Sequence, residues 1–314
     1  MITTDVLIVG GGPAGSAAAW GLKRRGIECI VLDQQAFPRV KPCAGWLTPR
    51  ILKDLEFTPD EYPHGFTTFR SFKVAVRGVT FTLPTRQHAI RRVEFDDWLL
   101  RRSGAEVCRH TVRKIEQDGS GYVVDEGFAA RYLIGAGGTY CPVYRALFRK
   151  ENPKRREALV AATEEEFQYD YSDPRCWLWF FDDGLPGYAW YVPKANGIVN
   201  VGVGGLAEQM NAKGQSLKGH WQRLIEKIER MGLVRGHDYQ PEAHSYYVRQ
   251  DLARARIGNA FLVGDSAGMA TVDMGEGISA AIRSGLRAAE AIATGKEYSL
   301  KGIARYSIKA LVGL

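Results

Sequence analysis

The sequence predicts an α/β chain: a parallel sheet assembled from the start, middle and end of the chain, with β-rich insertions between. Three observations predict it. Val6-Leu7-Ile8-Val9 is a short unbroken apolar run, as expected of a strand covered on both faces, and it leads through Gly10-Gly11-Gly12-Pro13-Ala14-Gly15 into a helical stretch. Similar runs return at Cys29-Ile30-Val31-Leu32, Tyr132-Leu133-Ile134 and Ala260-Phe261-Leu262-Val263. Between them lie segments of strand-like alternation with a heavy aromatic load.

In chain order, the strand at 6–9 is followed by a helix over 16–25 that has small residues on one face. The strand at 29–32 ends at Asp33, which completes a βαβ start and implies a parallel sheet. Alternation in FRSFKVAVRGVTFTL, within 66–83, predicts strands, and 94–102 reads as a helix with Phe95, Trp98 and Leu99 on one face. Residues 107–124 read as a strand pair with an intervening turn, and 132–134 as a further buried strand. The stretch 158–205 is β-rich and aromatic, through CWLWFF, YAWYVP and IVNVGVGG. Leu217, Trp221, Leu224, Ile225 and Ile228 mark an amphipathic helix by their three- and four-residue spacing. A strand at 260–263 and a long helix over 276–292 close the pattern.

Composition narrows the class. The 314 residues are 45% hydrophobic and 25% charged, as in soluble globular proteins, and suffice for one large or two interleaved domains. A net charge of +7 suggests an anionic partner such as phosphate or a membrane surface, while the dispersal of Lys and Arg speaks against specific nucleic-acid binding. The basic run RALFRKENPKRR reads as a solvated face, with a patch for anionic headgroups as the sharper alternative. Five cysteines without a CxxC argue against a disulfide framework or a metal site and favour a reducing compartment. With no leader and no apolar run near the ~20 residues that cross a bilayer, the expectation is a cytoplasmic protein, with peripheral membrane contact left open.

Gly10-x-Gly12-x-x-Gly15 follows a strand and opens a helix, and Asp33 ends the next strand. Such glycines allow a tight turn, close approach to a pyrophosphate and close helix–strand packing; the helix N-terminus favours anions, and the carboxylate suits ribose hydroxyls. Pro13 and Ala14 lie inside this loop. Alone, the motif does not choose between FAD and NAD.

Phe261-Leu262-Val263-Gly264-Asp265-Ser266-Ala267-Gly268, with Gly275-Glu276-Gly277-Ile278, resembles the second FAD motif of the para-hydroxybenzoate hydroxylase-type flavoproteins. Arg92-x-x-Phe95-Asp96 resembles that class's cofactor-contacting helix start, and Ile134-Gly135-Ala136-Gly137-Gly138 stands in place of its G-A-D-G motif, with Gly137 where an aspartate is usual. Within the class, Tyr188-Ala189-Trp190-Tyr191-Val192-Pro193 followed by Gly202-Val203-Gly204, and the loop Lys41-Pro42-Cys43-Ala44-Gly45, resemble the geranylgeranyl reductase family. Val192, Ala44, Trp46 and Val272 depart from its pattern, and Ala44 and Trp46 are expected to narrow the site.

The resemblance implies a Rossmann-like FAD-binding domain (three-layer β/β/α; residues 1–64, 86–152 and 248–314) with an inserted antiparallel-sheet substrate domain (65–85 and 153–247). It implies FAD held by Gly10, Gly12, Pro13, Ala14, Gly15, Asp33, Cys43, Ala44, Gly45, Arg92, Gly137, Gly264, Asp265, Gly275, Gly277 and Ile278. A prenyl or other apolar substrate would meet Tyr188, Trp190, Pro193, Gly202 and Gly204. The expected reaction is saturation of C=C bonds in a prenyl lipid, fed by NADPH, ferredoxin or another reductant. An isolated alkene needs a proton donor; Cys43 is the candidate acid, with Lys41 biasing its ionisation. Relatives usually continue beyond the last long helix, which suggests a smaller lipid or a more open cleft. The competing readings are a flavin-dependent monooxygenase or halogenase, for which Lys73 would be the catalytic lysine, and a non-catalytic electron-transfer flavoprotein.

Overall fold

The computed structural model describes residues 1–119 and 121–311, which build two eight-stranded sheets. Along the chain come β1 (Ile2–Val9), α1 (Pro13–Lys23), β2 (Cys29–Asp33), β3 (Trp46–Leu47), α2 (Arg50–Asp54), β4 (Thr67–Val76) and β5 (Val79–Ala89). Next are α3 (Arg92–Arg102), β6 (Glu106–Arg109), β7 (Ile115–Asp118), β8 (Gly121–Val124), β9 (Phe128–Gly135), β10 (Leu159–Gln168), β11 (Cys176–Phe180), β12 (Gly187–Lys194) and β13 (Ile198–Leu206). The remainder holds α4 (Ala207–Ala212), α5 (Leu217–Arg230), β14 (Glu242–Tyr247), β15 (Arg256–Ile257), β16 (Ala260–Leu262), α6 (Ile278–Thr294) and α7 (Ile308–Leu311).

The first sheet runs β15-β16-β9-β1-β2-β6, parallel from β16 to β6. The stretches 6–9, 29–32 and 133–134 of its central strands are apolar and buried, as strands covered on both faces are. Helices α1 and α6 lie against each other, and their small residues permit it: a Cβ on Gly285 would fall 2.2 Å from the Ala14 carbonyl oxygen, and one on Gly21 would fall 2.8 Å from the Ala289 Cβ. Pro13 sits at the first helical position of α1, where its missing N–H costs nothing. Strand β8 joins β9 antiparallel and pairs with β7, so Tyr122, Val124 and Phe128 pack into the same core.

The second sheet runs β14-β10-β13-β12-β11-β4-β5-β3 and is antiparallel except at β11–β4. It reaches back to Trp46-Leu47, which pair with Ala89 and His88. Helix α5 covers one face, setting Trp221, Leu224 and Ile228 against Tyr191, Val199, Val201 and Val203. On the other face, Phe72, Val74, Leu178, Tyr188, Trp190 and Val192 form a separate cluster with Ala44 and Met274.

Three expectations shift. The segment 107–124 holds three short strands, because Asp125 accepts the Arg113 and Lys114 N–H groups and contacts His110 Nε2 at 2.7 Å, closing a loop before β7. Helix α6 starts at Ile278 and not at 276: Gly275 has φ +63°, and the Glu276 side chain accepts the Ser279 N–H at 2.8 Å from outside the helix. In the basic run, Arg145, Arg149, Lys150, Arg155 and Arg156 are exposed, but Phe148 and Asn152 are buried and Lys154 donates to the Thr139 carbonyl. No helix among the described residues is long and apolar enough to cross a membrane.

Candidate active site

The glycine loop joins β1 to α1, and each glycine has its own constraint. Gly10 has φ +111°, and a Cβ there would strike the Ala136 carbonyl oxygen at 2.4 Å and Gly137 Cα at 2.8 Å, so Gly137 packs against this turn. A Cβ on Gly15 would fall 1.9 Å from the Gly10 oxygen. At Gly12 the nearest atom is the Arg39 guanidinium, 3.3 Å away, which leaves the backbone open to a ligand. Asp33 closes the turn by accepting the Gly11 N–H at 2.7 Å and the Gln35 N–H at 2.9 Å.

Beside this loop lies a buried charge trio that sequence reasoning found only in part. Arg92 makes a two-pronged pair with Asp96 at 2.7 Å per bond, and Arg39 reaches the same carboxylate at 3.3 Å. Asp96 is 0% exposed. Burial disfavours the Arg92 charge, and the pairing with Asp96 more than offsets it. Two guanidiniums against one carboxylate leave a positive surplus at a helix N-terminus. That surplus fits a diphosphate.

The second motif meets the first directly. Gly264 has φ +57°, its Cβ position is 2.9 Å from the Ala14 Cβ, and its N–H donates to Ser284 Oγ at 2.9 Å. Asp265 follows, with Oδ1 3.3 Å from the Cβ position of Gly277, the residue that precedes α6. Gly277 gives α6 no side-chain cap and Glu276 takes the Ser279 N–H, so the first turn keeps its other donors for a ligand. Gly275 is required, since a Cβ would sit 2.1 Å from the Tyr246 hydroxyl. Ser266 Oγ and His244 Nδ1 are buried with no hydrogen-bond partner among the described residues. Helix starts with donors to spare, surplus cation and orphaned polar atoms together fit a flavin dinucleotide spanning both motifs.

The loop 41–45 crosses from this region to the second sheet. Gly45 has φ +77°, and its Cβ position lies 2.0 Å from the Ile90 oxygen and 3.0 Å from Lys194 Nζ. Cys43 is half-buried, and the Gly45 N–H points at its Sγ at 3.4 Å. Burial pushes the Cys43 thiol up; Arg92 and Lys194 pull it down, Glu164 adds to the rise, and the net direction is upward. Cys43 is therefore held as a thiol. Lys41 is exposed, and its charge acts on Glu164 and His244. Trp46 goes into aromatic packing, 4.9 Å from Phe72 and 5.9 Å from Phe69 between ring centroids.

Alternation along β12 sorts the aromatic signature. Tyr188, Trp190, Val192 and Lys194 share one face, whereas Pro193 belongs with Ala189 and Tyr191 on the face toward α5 and so does not stand beside Tyr188 and Trp190. The Tyr188 hydroxyl donates to the Met274 carbonyl at 2.7 Å, which ties the sheet to the second motif. Trp190 Nε1 donates to Asn200 Oδ1 at 2.7 Å, and the indole lies where a Gly202 Cβ would be, 2.2 Å from Cζ2. Gly202 thus makes room for Trp190, and a Cβ on Gly204 would fall 3.0 Å from the Ala162 Cβ. Lys73 alternates to the other face and donates to Thr82 Oγ1, away from Tyr188 and Trp190.

The same sheet face brings in Glu164, Lys194, His244 and Tyr246, none of which the sequence singles out. Burial pushes Glu164 up to about 7 and His244 down to about 4. Among the described residues no group of three or more His, Cys, Asp or Glu side chains is placed to hold a metal ion.

Comparison with known proteins agrees with this geometry. A family model described as an FAD binding domain matches residues 3–58. A menaquinone reductase of Mycobacterium tuberculosis is 31% identical over 92% of this chain and 76% of its own length. Digeranylgeranylglycerophospholipid reductase 1 of Methanopyrus kandleri is 29% identical over 91% and 79%. The crystal structure of a geranylgeranyl bacteriochlorophyll reductase-like protein from Thermoplasma acidophilum superposes with a TM-score of 0.80 at 23% identity, covering 93% of this chain and 78% of that one, and shares the fold.

Proposed function

The chain belongs to the geranylgeranyl reductase family of FAD-dependent oxidoreductases, and from that premise we propose that it saturates C=C bonds in the isoprenoid chain of a lipid or quinone. The observation that carries the proposal is Cys43: a thiol kept protonated by burial, on the loop between the dinucleotide motifs and an aromatic sheet face.

Gly10, Gly12, Pro13, Ala14, Gly15 and Asp33 would hold the adenosine diphosphate half of FAD with Arg39 and Arg92, and Gly264, Asp265, Gly275, Gly277 and Ile278 the flavin half. Bound FAD, once reduced, supplies hydride chemistry at its ring. An isolated alkene is a poor electrophile, so a proton must reach one carbon as hydride reaches the other. Cys43 keeps that proton on Sγ. Tyr188 and Trp190 would line the path of the alkene with apolar ring surface, their polar ends already satisfied by Met274 and Asn200. Exposed Val272, Tyr306 and Ile308 are drawn together by the Val272–Arg305 backbone bond and by Asp273, which accepts the Ser307 and Ile308 N–H groups. They would give such a chain, or the membrane that carries it, an apolar surface to approach.

The test is anaerobic. Flavin-loaded protein is reduced and mixed with lipids that bear geranylgeranyl chains or with a polyprenyl quinone, and the lipids are analysed by mass spectrometry. Isoprenoid chains heavier by pairs of hydrogens are expected, with any quinol first reoxidised to its quinone so that reduction of the ring is not counted. Isoprenoid chains unchanged in mass, with the flavin still reduced or its electrons found only in the quinone ring, would overturn the proposal, as would hydroxylated or halogenated lipids in a parallel incubation with oxygen and halide.

A further inference from the structure

Glu164 is the buried titratable group that the reading above leaves unused. It lies in β10 opposite Gly202 of β13, on the face that carries Tyr188 and Trp190, and it is 3% exposed. Gly202 makes its place: a Cβ there would come within 2.7 Å of the Glu164 Cβ. Asn200 hydrogen-bonds to its carboxyl while accepting Trp190 Nε1. Glu164 also stands within electrostatic reach of Cys43.

We propose that Glu164 returns the proton to Cys43 after each turnover, while the Lys194–Glu166–Arg91 chain fixes the two relative to each other. The proposal rests on the reading of Cys43 as proton donor. Lys194, 1% exposed, reaches the loop at Gly45 and donates to Glu166 at 2.5 Å, and Arg91 donates to the other Glu166 oxygen at 2.8 Å. The Ile90 N–H donates to the Gly45 carbonyl at 3.0 Å, and its neighbour Arg91 reaches Glu166, which ties the loop that carries Cys43 to the strand that carries Glu164.

Two carboxyls on one strand face are driven apart by their surroundings, the pattern that separates a working acid from a fixed charge. Burial pushes Glu166 up, but Lys194 and Arg91 more than offset it and hold it below the ordinary carboxylate range. For Glu164 burial wins; Lys194, Asn200 and Lys41 oppose it, Glu166 reinforces it, and the carboxyl reaches about 7. From the neighbouring elements Tyr188, Tyr246 and His244 share its face, the two tyrosines pushed up by burial and His244 pushed down to about 4, so that all three are neutral at pH 7. Glu242, its cross-strand partner in β14, is exposed, and Arg92 acts on the other side of Cys43.

The balance is simple. Cys43 gives its S–H proton to one alkene carbon as hydride reaches the other, and the bonding pair stays on sulfur. The Glu164 O–H proton then passes to that thiolate, leaving a carboxylate that takes a proton from solvent water. Transfer from a carboxyl near 7 to a thiol raised above its ordinary value is downhill.

Alkylation of Cys43 by iodoacetamide, mapped by peptide mass spectrometry across pH, reads the coupling without any lipid, so it can fail independently of the prenyl reading. Flavin-loaded wild type is expected to show an extra inflection near pH 7 as Glu164 ionises. Glu164→Gln is expected to lose that inflection and to alkylate about threefold faster at pH 8, a half-unit fall in the thiol pKa. Superimposable profiles would overturn the proposal. In turnover, Glu164→Gln should keep the first reduction within about twofold and slow the steady state about tenfold or more, with Glu164→Asp recovering part of the loss. Equal losses in both phases, or no loss, would also overturn it.

Discussion

The two faces of the second sheet are made from alternate residues of the same strands and serve different ends. Toward α5, Tyr191, Val199, Val201 and Val203 meet Trp221, Leu224 and Ile228 in an apolar layer. On the opposite face the same strands present Trp190, Tyr188, Lys194, Asn200 and Glu164, whose polar ends are paired by named partners or held out of their ordinary protonation range. The difference teaches how a buried polar site is maintained. Each large apolar side chain under α5 contributes about 1.5–3 kcal/mol, so the several of them together outweigh the about 1–3 kcal/mol that an orphaned polar atom such as His244 Nδ1 costs. One face stabilises the sheet, and the other spends part of that stability on chemistry.

Substitutions can break this contrast or sharpen it. The largest effect is expected at Cys43: Cys43→Ala should slow reductive turnover about 100-fold or more with little change in melting temperature. A loss below about tenfold would remove the acid from the reactive face. Next, Leu224→Ala should destabilise the fold by about 2–5 kcal/mol in denaturant unfolding, with turnover per folded molecule within about twofold of wild type. A matching collapse of turnover would show that the faces are not separable.

Glu164→Gln should act on stability through pH. A carboxyl raised in the folded state is neutral in both states at low pH; as pH rises past about 4.5 the unfolded chain loses its proton first, so folding stability falls until about pH 7 and then levels. The wild type should thus lose about 3 kcal/mol relative to the Gln variant between those limits. A stability difference constant from pH 4 to pH 8 would contradict the buried carboxyl. The smallest effect is expected at Gly202→Ala, about 1–3 kcal/mol from overpacking against Trp190, with altered tryptophan fluorescence as the readout.

The nucleotide-binding half was legible because its signals are local: the spacing of Gly10, Gly12 and Gly15 and the strand-end Asp33 are backbone requirements confined to a few residues. Tyr188 and Trp190 were legible through a motif, but alternation sends Pro193 to the other face. Glu164 was not legible, since nothing in Thr163-Glu164-Glu165-Glu166 tells one carboxylate from the next and only the pairing of β10 with β13 shows which face each takes. Arg39 was hidden likewise: it shares Asp96 with Arg92 from 53 positions away. Tertiary pairing, not local pattern, decides those protonation states.

One measurement tests the central claim most directly: anaerobic single turnover of reduced wild type and Cys43→Ala with a geranylgeranyl-bearing lipid in D2O, followed by flavin absorbance and by product mass. The account predicts that wild type reoxidises its flavin in step with a saturated product carrying non-exchangeable deuterium, and that Cys43→Ala does neither at a comparable rate. Flavin reoxidation and saturated product forming at equal rates in both proteins, or neither forming in wild type, would contradict it.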